Sequence, residues 1–307
     1  MTQPVKPLHN APVFRAVFLA IMATVLWSGN FIVARATIHD ISPIHLAFGR
    51  WFTASLIMVP VGLGALKREW QQVLAGKWNI VFAGLFGISI FNTLVYVAGH
   101  HSEAIQIALL GTTSSPVFSF ILARIFLKEK IPPRRILGLL VCIAGILFIL
   151  SRGSWGTFIN LRFSRGDWWI LLAAFSFAVY NIFVRARPVK LGSVAYLTAV
   201  FFAGTLMLAP VALGDWMLGA SPHMTTSLGA MIFYLGAGTS VGAFFCWNAA
   251  IAKLGAARAS LFGMLIPVFS SIEAVLILGE KLLLPHILGM VLVFSGVFMA
   301  NTKRRKH

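Results

Sequence analysis

Residues 115–130 read SPVFSFILARIFLKEK, and residues 266–281 read IPVFSSIEAVLILGEK. Nine of these sixteen positions are identical at an offset of 151: Pro116, Val117, Phe118, Ser119, Ile121, Ala123, Leu127, Glu129 and Lys130 return as Pro267, Val268, Phe269, Ser270, Ile272, Ala274, Leu278, Glu280 and Lys281. Composition alone would give roughly one or two matches. The same offset pairs Asn30 with Asn181, Ser42 with Ser193, Gly87 with Gly238, Ser89 with Ser240, Gly138 with Gly289 and Gly145 with Gly296. The chain reads as two homologous halves.

Composition says where those halves sit. Of 307 residues, 59% are hydrophobic and only 11% charged, against about 25% charged in ordinary soluble domains. Apolar runs near twenty residues long recur throughout, each bounded by charges, Pro or short polar turns, and about 20 helical residues cross a hydrocarbon core. The reading is an all-α polytopic membrane protein. The net charge of +17 does not point to nucleic acid, because Lys and Arg fall in short connections and form no basic face with interleaved aromatics. Cys142 and Cys246 lie inside apolar runs and read as small core residues, with no disulfide or metal implied.

Ten spans are expected, at 16–34, 44–66, 78–99, 104–127, 136–151, 168–186, 193–214, 228–252, 257–279 and 284–301; a nine-span count omits the fifth. With both termini cytoplasmic, 19 Lys and Arg residues fall on the inside and five outside, and Arg50 lies within a span. Positive residues prefer the cytoplasmic side, so the distribution supports this count and orientation. The expected layout is a tail at 1–15, five helices in 16–152, an external linker at 153–167, five helices in 168–302 and a basic tail at 303–307. The first tail reads as a retained cytoplasmic segment. Five is odd, so the second half enters the membrane inverted. Inverted repeats enclosing a central site are a transporter architecture.

These residues also resemble a known family. The WSGNF stretch (27–31), the PVF stretches at 116–118 and 267–269, the span ends LKEK (127–130) and LGEK (278–281), and the following LGLLVCIAGILFI and LGMVLVFSGVFMA are similar to the EamA family of the drug/metabolite transporter superfamily. The resemblance covers nearly the whole chain and is strongest toward bacterial inner-membrane amino-acid and metabolite exporters, including the aromatic amino-acid type. It implies ten helices, cytoplasmic termini, a basket-like bundle, a central cavity and export as the direction.

Polar groups inside spans mark candidate site residues, because each needs a partner, water or the bundle interior. Asn30 and Asn181 lie near mid-span, with Trp27 at i−3 from the first and Phe177 at i−4 from the second. They read as substrate contacts or as hydrogen bonds tying the halves together. Asn92 and Tyr96 share one face, and Ser240, Phe244, Trp247 and Asn248 form a comparable stripe that otherwise reads as packing. GTTSSP (111–116) offers hydroxyls, Ser114 among them, before a proline. Pro116 and Pro267 are read as hinges or plain kinks. Arg50 reads as snorkelling to external headgroups, with neutralisation of a substrate carboxylate as the alternative. Glu273 reads as a proton carrier, an ammonium contact or a partner of Lys281. HHSE (100–103) reads as solvated connection and not as a metal site.

Aromatic, amide and hydroxyl groups with few charges suit a transporter of neutral or zwitterionic solutes, amino acids with aromatic or other sizeable side chains above all, working by alternating access. Export of hydrophobic drugs or cationic dyes is the alternative, and a scaffold or receptor the non-transport one. An enzyme is not expected: GTSVG (238–242) mimics GxSxG inside a span, without a His or acid partner. The expected partners are the bilayer and a small-molecule substrate, with no cofactor or metal.

Overall fold

The computed structural model describes residues 13–301 except 103, 152, 160–163, 189, 221 and 279–283. Both expected tails therefore lie mostly outside the described residues, as do Glu103, Glu280 and Lys281. Among the described residues every regular element is helical. In chain order the longer helices are α1 (Val13–Ala36), α2 (Pro43–Arg68), α3 (Lys77–His101), α4 (Ala104–Phe126), α5 (Pro133–Leu150), α6 (Arg165–Arg185), α7 (Ser193–Met217), α8 (Thr226–Leu254), α9 and α10 (Leu284–Asn301). The composite α9 joins Ala256–Ser260, a 3₁₀ turn Leu261–Leu265 and Ile266–Leu278.

Local chemistry sets these ends. The Ser42 side chain caps α2 by accepting from the His45 amide at 3.2 Å, with Pro43 following where its missing N–H costs nothing, and Lys67 and Arg68 close the last turn. Ser164 and Asp167 form a reciprocal capping box at the start of α6. That box moves the half-boundary: residues 165–167, expected in the linker, already belong to α6, and Trp155–Ile159 adds a short helix before it. Between α8 and α9 the chain breaks at Gly255, whose φ of +85° is a backbone region that side chains disfavour.

Six of the helices carry a stretch long and apolar enough to cross a membrane, namely Val13–Asn30 within α1, Pro43–Arg68, Lys77–His101, Arg165–Arg185, Ser193–Met217 and Thr226–Leu254. The apolar stretches Leu110–Phe126, Ala256–Ser270 and Ile287–Ala300 are shorter. Large apolar side chains face outward along these helices; Leu206 and Phe298 are 75% and 72% exposed. In water such a surface would drive association, whereas lipid solvates it.

Corresponding helices pack in pairs: α1 on α8, α6 on α3, α2 on α7, and α5 on α10. The α5–α10 crossing is the tightest. A Cβ on Gly138 would lie 2.6 Å from the Gly296 carbonyl oxygen, and one on Gly145 would lie 2.8 Å from the Gly289 carbonyl oxygen. Between them the Cys142 thiol donates to the Val293 carbonyl at 3.4 Å. Contact positions rise along α5 as they fall along α10, so these two helices run antiparallel. In the α2–α7 pair, Ser55 and Thr205 share a hydrogen bond of 2.8 Å.

Candidate functional site

A cavity of about 650 Å³, its mouth included, opens between α1, α3, α4, α6, α8 and α9, with one residue reaching in from α2. Phe91, Phe177, Trp27 and Trp247 give it aromatic walls, Asn30 and Arg50 a polar patch, and Thr112 and Ser115 hydroxyls beside Pro116.

Arg50 is the α2 residue, and its side chain is only 1% exposed. Nε donates to the Ser240 hydroxyl at 2.6 Å, and Nη1 to Asn30 Oδ1 at 3.0 Å and to the Tyr96 hydroxyl at 3.1 Å. Nη2 donates to the Thr239 carbonyl at 3.2 Å. All four acceptors are neutral, and no carboxylate pairs with Arg50 among the described residues. Of the five N–H groups of a guanidinium, four are used to hold it in place. The cation is fixed but not neutralised. Snorkelling to headgroups is therefore corrected: acceptors from α1, α3 and α8 are within reach, and they draw the side chain inward.

The two halves build related contacts with different chemistry. Tyr96 donates to Asn30 Oδ1 at 3.2 Å, and Trp247, 151 positions on, donates to Asn181 Oδ1 at 3.0 Å. Where the first half has Arg50, the second has Phe201, packed edge-on against Trp51 at 5.0 Å. Trp27 sits at the centre of the aromatic group, 4.9 Å from Trp247 and 5.6 Å from both Phe177 and Phe244. Its indole N–H donates to the Thr239 carbonyl at 2.8 Å. The result is a guanidinium set beside an aromatic group, Arg50 and Trp27 sharing the Thr239 carbonyl.

Of the residues expected to contact substrate, Trp27, Asn30, Phe177 and Trp247 border the cavity, as do Arg50 and Pro116. The others do not. Asn92 spends its amide on the Gly87 and Ile88 carbonyls of its own helix, and Asn248 donates to Tyr180 and to the Phe244 carbonyl. Asn181 is held by Trp247 and, through Nδ2, by Ser119 at 3.4 Å. Tyr96 and Ser240 stand behind Arg50, and Phe244 packs between Trp27 and Trp51. Ser114 points off the cavity face because helical rotation puts Gly111, Thr112 and Ser115 there instead. Pro267 is not among the cavity residues; it stands where the 3₁₀ turn of α9 gives way to Ile266–Leu278. Glu273 lies outside the cavity and meets the Ser28 hydroxyl.

Two features escaped the sequence reading. Leu85–Ile90 in α3 and Leu235–Gly242 in α8 are π-helical, at corresponding places in the two halves. A widened turn releases carbonyls from regular pairing, and side chains take them up: Ser176 donates to Phe86 at 2.7 Å, while Trp27 and Arg50 share Thr239. The glycine-rich LFGISI and LGAGTSVG were the available signal. The second feature is a polar group joining α2 to α7. There Ser42 donates to Asp215 Oδ2 at 2.6 Å, and His45 Nδ1 lies 3.0 Å from the same oxygen and 2.8 Å from Ser42. Serine and carboxylate both meet the same imidazole nitrogen, which does not set up a nucleophile and its base. Among the described residues no cluster of three or more His, Cys, Asp or Glu is placed to hold a metal.

A helical bundle with a lipid-facing apolar surface and a central cavity holding a fixed cation has relatives among known proteins. The uncharacterized transporter YyaM of Bacillus subtilis (strain 168) is 26% identical over 287 residues, covering 93% of each chain. A probable terminal-alkyne amino-acid exporter of Streptantibioticus cattleyicolor is 25% identical, covering 94% of each. A probable amino-acid metabolite efflux pump of Salmonella typhimurium is 23% identical, covering 92% of this chain and 93% of its own. A solved crystal structure shares the fold with a TM-score of 0.72 at 18% identity, over 93% of this chain and 96% of that one. The protein is a multi-pass membrane transporter. It belongs to the EamA-like transporter family, whose model matches it twice, over residues 14–151 and 164–302.

Proposed function

We propose that this transporter exports amino acids with apolar side chains, aromatic ones foremost, across a bacterial inner membrane. The observation that carries the reading is Arg50, a guanidinium without a carboxylate partner among the described residues, bordering a cavity whose other walls are Trp27, Phe177 and Trp247. A solute carrying both a carboxylate and an apolar ring matches both features. Asn30 orients the guanidinium and offers its amide to the same solute. Relatives named as amino-acid exporters and efflux pumps support the solute class. Cationic dyes fit poorly, because Arg50 repels them.

In this reading the chain crosses the membrane ten times, as five-helix units at 16–152 and 168–302 with both termini cytoplasmic. The antiparallel pairing of α5 with α10 through Gly138–Gly296 and Gly145–Gly289 supports inversion of the second unit: a two-fold axis that exchanges the helices also exchanges these contacts. Alternating access follows, with α1 and α6, carrying Trp27 and Phe177, moving against the paired helices and Pro116 serving as a hinge in α4.

The test is uptake of labelled amino acids by vesicles containing the purified protein. Saturable movement of aromatic and large aliphatic members is expected, with basic and acidic members slow. Movement of none, with ethidium or another cationic dye carried instead, would discard the assignment.

A further inference from the structure

Ser28 and Glu273 meet in the seam between α1 and α9. Both helices border the cavity, α1 through Trp27 and Asn30 and α9 through Ser260, Gly263 and Ile266. The Ser28 hydroxyl is fully buried and makes two contacts, one to the Val25 carbonyl at 2.6 Å and one to Glu273 Oε1. A hydroxyl has one hydrogen, and a carbonyl can only accept. If that hydrogen serves Val25, the second contact is a hydrogen bond only when Glu273 supplies its own proton. An ionised Glu273 leaves two acceptors and one hydrogen at this point.

The surroundings favour the neutral acid as well. Glu273 Oε2 is buried and has no hydrogen-bond partner among the described residues. A lone carboxylate oxygen there is costly, a carboxylic acid much less so. One turn earlier on α9, Ser270 donates to the Ser28 carbonyl at 3.2 Å and pins the same seam. Of the elements packed on this stretch, α1 carries Arg15 and Arg35 toward its ends, α4 carries Arg124, and α10 carries His286, whose side chain lies outside the described set. Tyr234 of α8 is a further ionisable group near this stretch, its hydroxyl donating to the Leu26 carbonyl at 3.0 Å. No cation pairs with Glu273 among the described residues.

We propose that Glu273 is a proton-binding site that holds α9 to α1 as the neutral acid and releases its proton when the seam opens, coupling solute export to proton entry. The proton arrives from the outer solution, neutralises Glu273 and closes the seam. It leaves to the cytoplasm when the carboxylate forms, so that the one Ser28 hydrogen has to serve both Val25 and Glu273. Coupling rests on the transport reading above; the proton site does not.

Two measurements on the full-length protein separate those parts. Infrared difference spectra of wild type against Glu273→Gln, at neutral pH, should show a protonated-carboxyl stretch that only the wild type has. The amide of Gln keeps a donor for Ser28, and Ser28→Ala serves as a second variant that should shift the same band. In vesicles with an acidic interior, wild type should accumulate labelled L-phenylalanine at least several-fold above its level without the gradient, and Glu273→Gln should gain nothing from it. Absence of the band overturns the proton site. A band with an equal response of both proteins to the gradient overturns coupling. A band with no movement of phenylalanine leaves the proton site standing and removes the substrate assignment instead.

Discussion

Arg50 gives every observed hydrogen bond to a neutral group, so its charge remains available to the cavity. Taking a guanidinium out of water costs several kcal/mol even after relaxation, and charge-assisted hydrogen bonds of about 1.5–3 kcal/mol each offset part of this. A substrate carboxylate would supply the remainder. Arg50→Gln is therefore expected to weaken apparent affinity for L-phenylalanine by roughly 10- to 100-fold, and Arg50→Lys by less, because the charge is kept although an ammonium cannot reproduce the fork that Ser240, Asn30 and Tyr96 grip. Concentration dependence of uptake measures both. Asn181 behaves differently despite its repeat relation to Asn30. Asn181→Ala leaves the Trp247 indole N–H without its acceptor, costing about 1–3 kcal/mol of stability with little change in affinity, whereas Asn30→Ala takes an acceptor from both Arg50 and Tyr96 and should lower stability and affinity together. Thermal unfolding in detergent alongside uptake kinetics distinguishes the two. The sequence showed both asparagines and placed them together; it carried no sign that one amide faces Arg50 while the other is closed off by Ser119 and Trp247. That difference comes from residues 20 to 66 positions away, beyond the reach of helical spacing.

At the scale of elements, the helices were legible because hydropathy and caps are local properties. The π-helical turns were not: they depend on what fills the space that glycine leaves. A Cβ on Gly87 would run into the Tyr180 ring, and one on Gly236 into Thr53. The α5–α10 crossing has the same character. Gly145→Val puts a branched side chain where the Gly289 carbonyl and Leu292 already sit, and the overpacking should cost about 1–3 kcal/mol or more. The expected outcome is a lower yield of folded protein and a lower unfolding temperature. The same change at the open Gly214, which has nothing within 4 Å, should be tolerated. Pro116 tests function more than folding. Pro116→Ala restores an amide that can bond back toward Thr112 and stiffens α4, so uptake should slow while substrate affinity changes less than about twofold. Initial rates across a concentration series show it.

For the whole molecule, the repeat was the most readable feature, since an offset of 151 is a property of the sequence itself. What it could not convey is how the halves differ: Arg50 faces the cavity in one, and Phe201 holds the equivalent place in the other. That difference is what the proposed site uses, a guanidinium from one half beside aromatic groups from both. The proposed ten-span arrangement, with its Lys and Arg distribution, predicts both termini on the cytoplasmic side. Reporter fusions active only in the cytoplasm should therefore work at either end, and fusions in the 153–159 connection should fail. The central claim is that Arg50 turns the cavity into a carboxylate site, and competition measures it most directly. Labelled L-phenylalanine uptake into vesicles would be challenged with two analogues, 3-phenylpropionate, which keeps the carboxylate, and 2-phenylethylamine, which lacks it. The account predicts that the carboxylate competes at least tenfold better, and that Arg50→Gln abolishes the difference. Equal competition by the two analogues, or a preference for the amine, would contradict it.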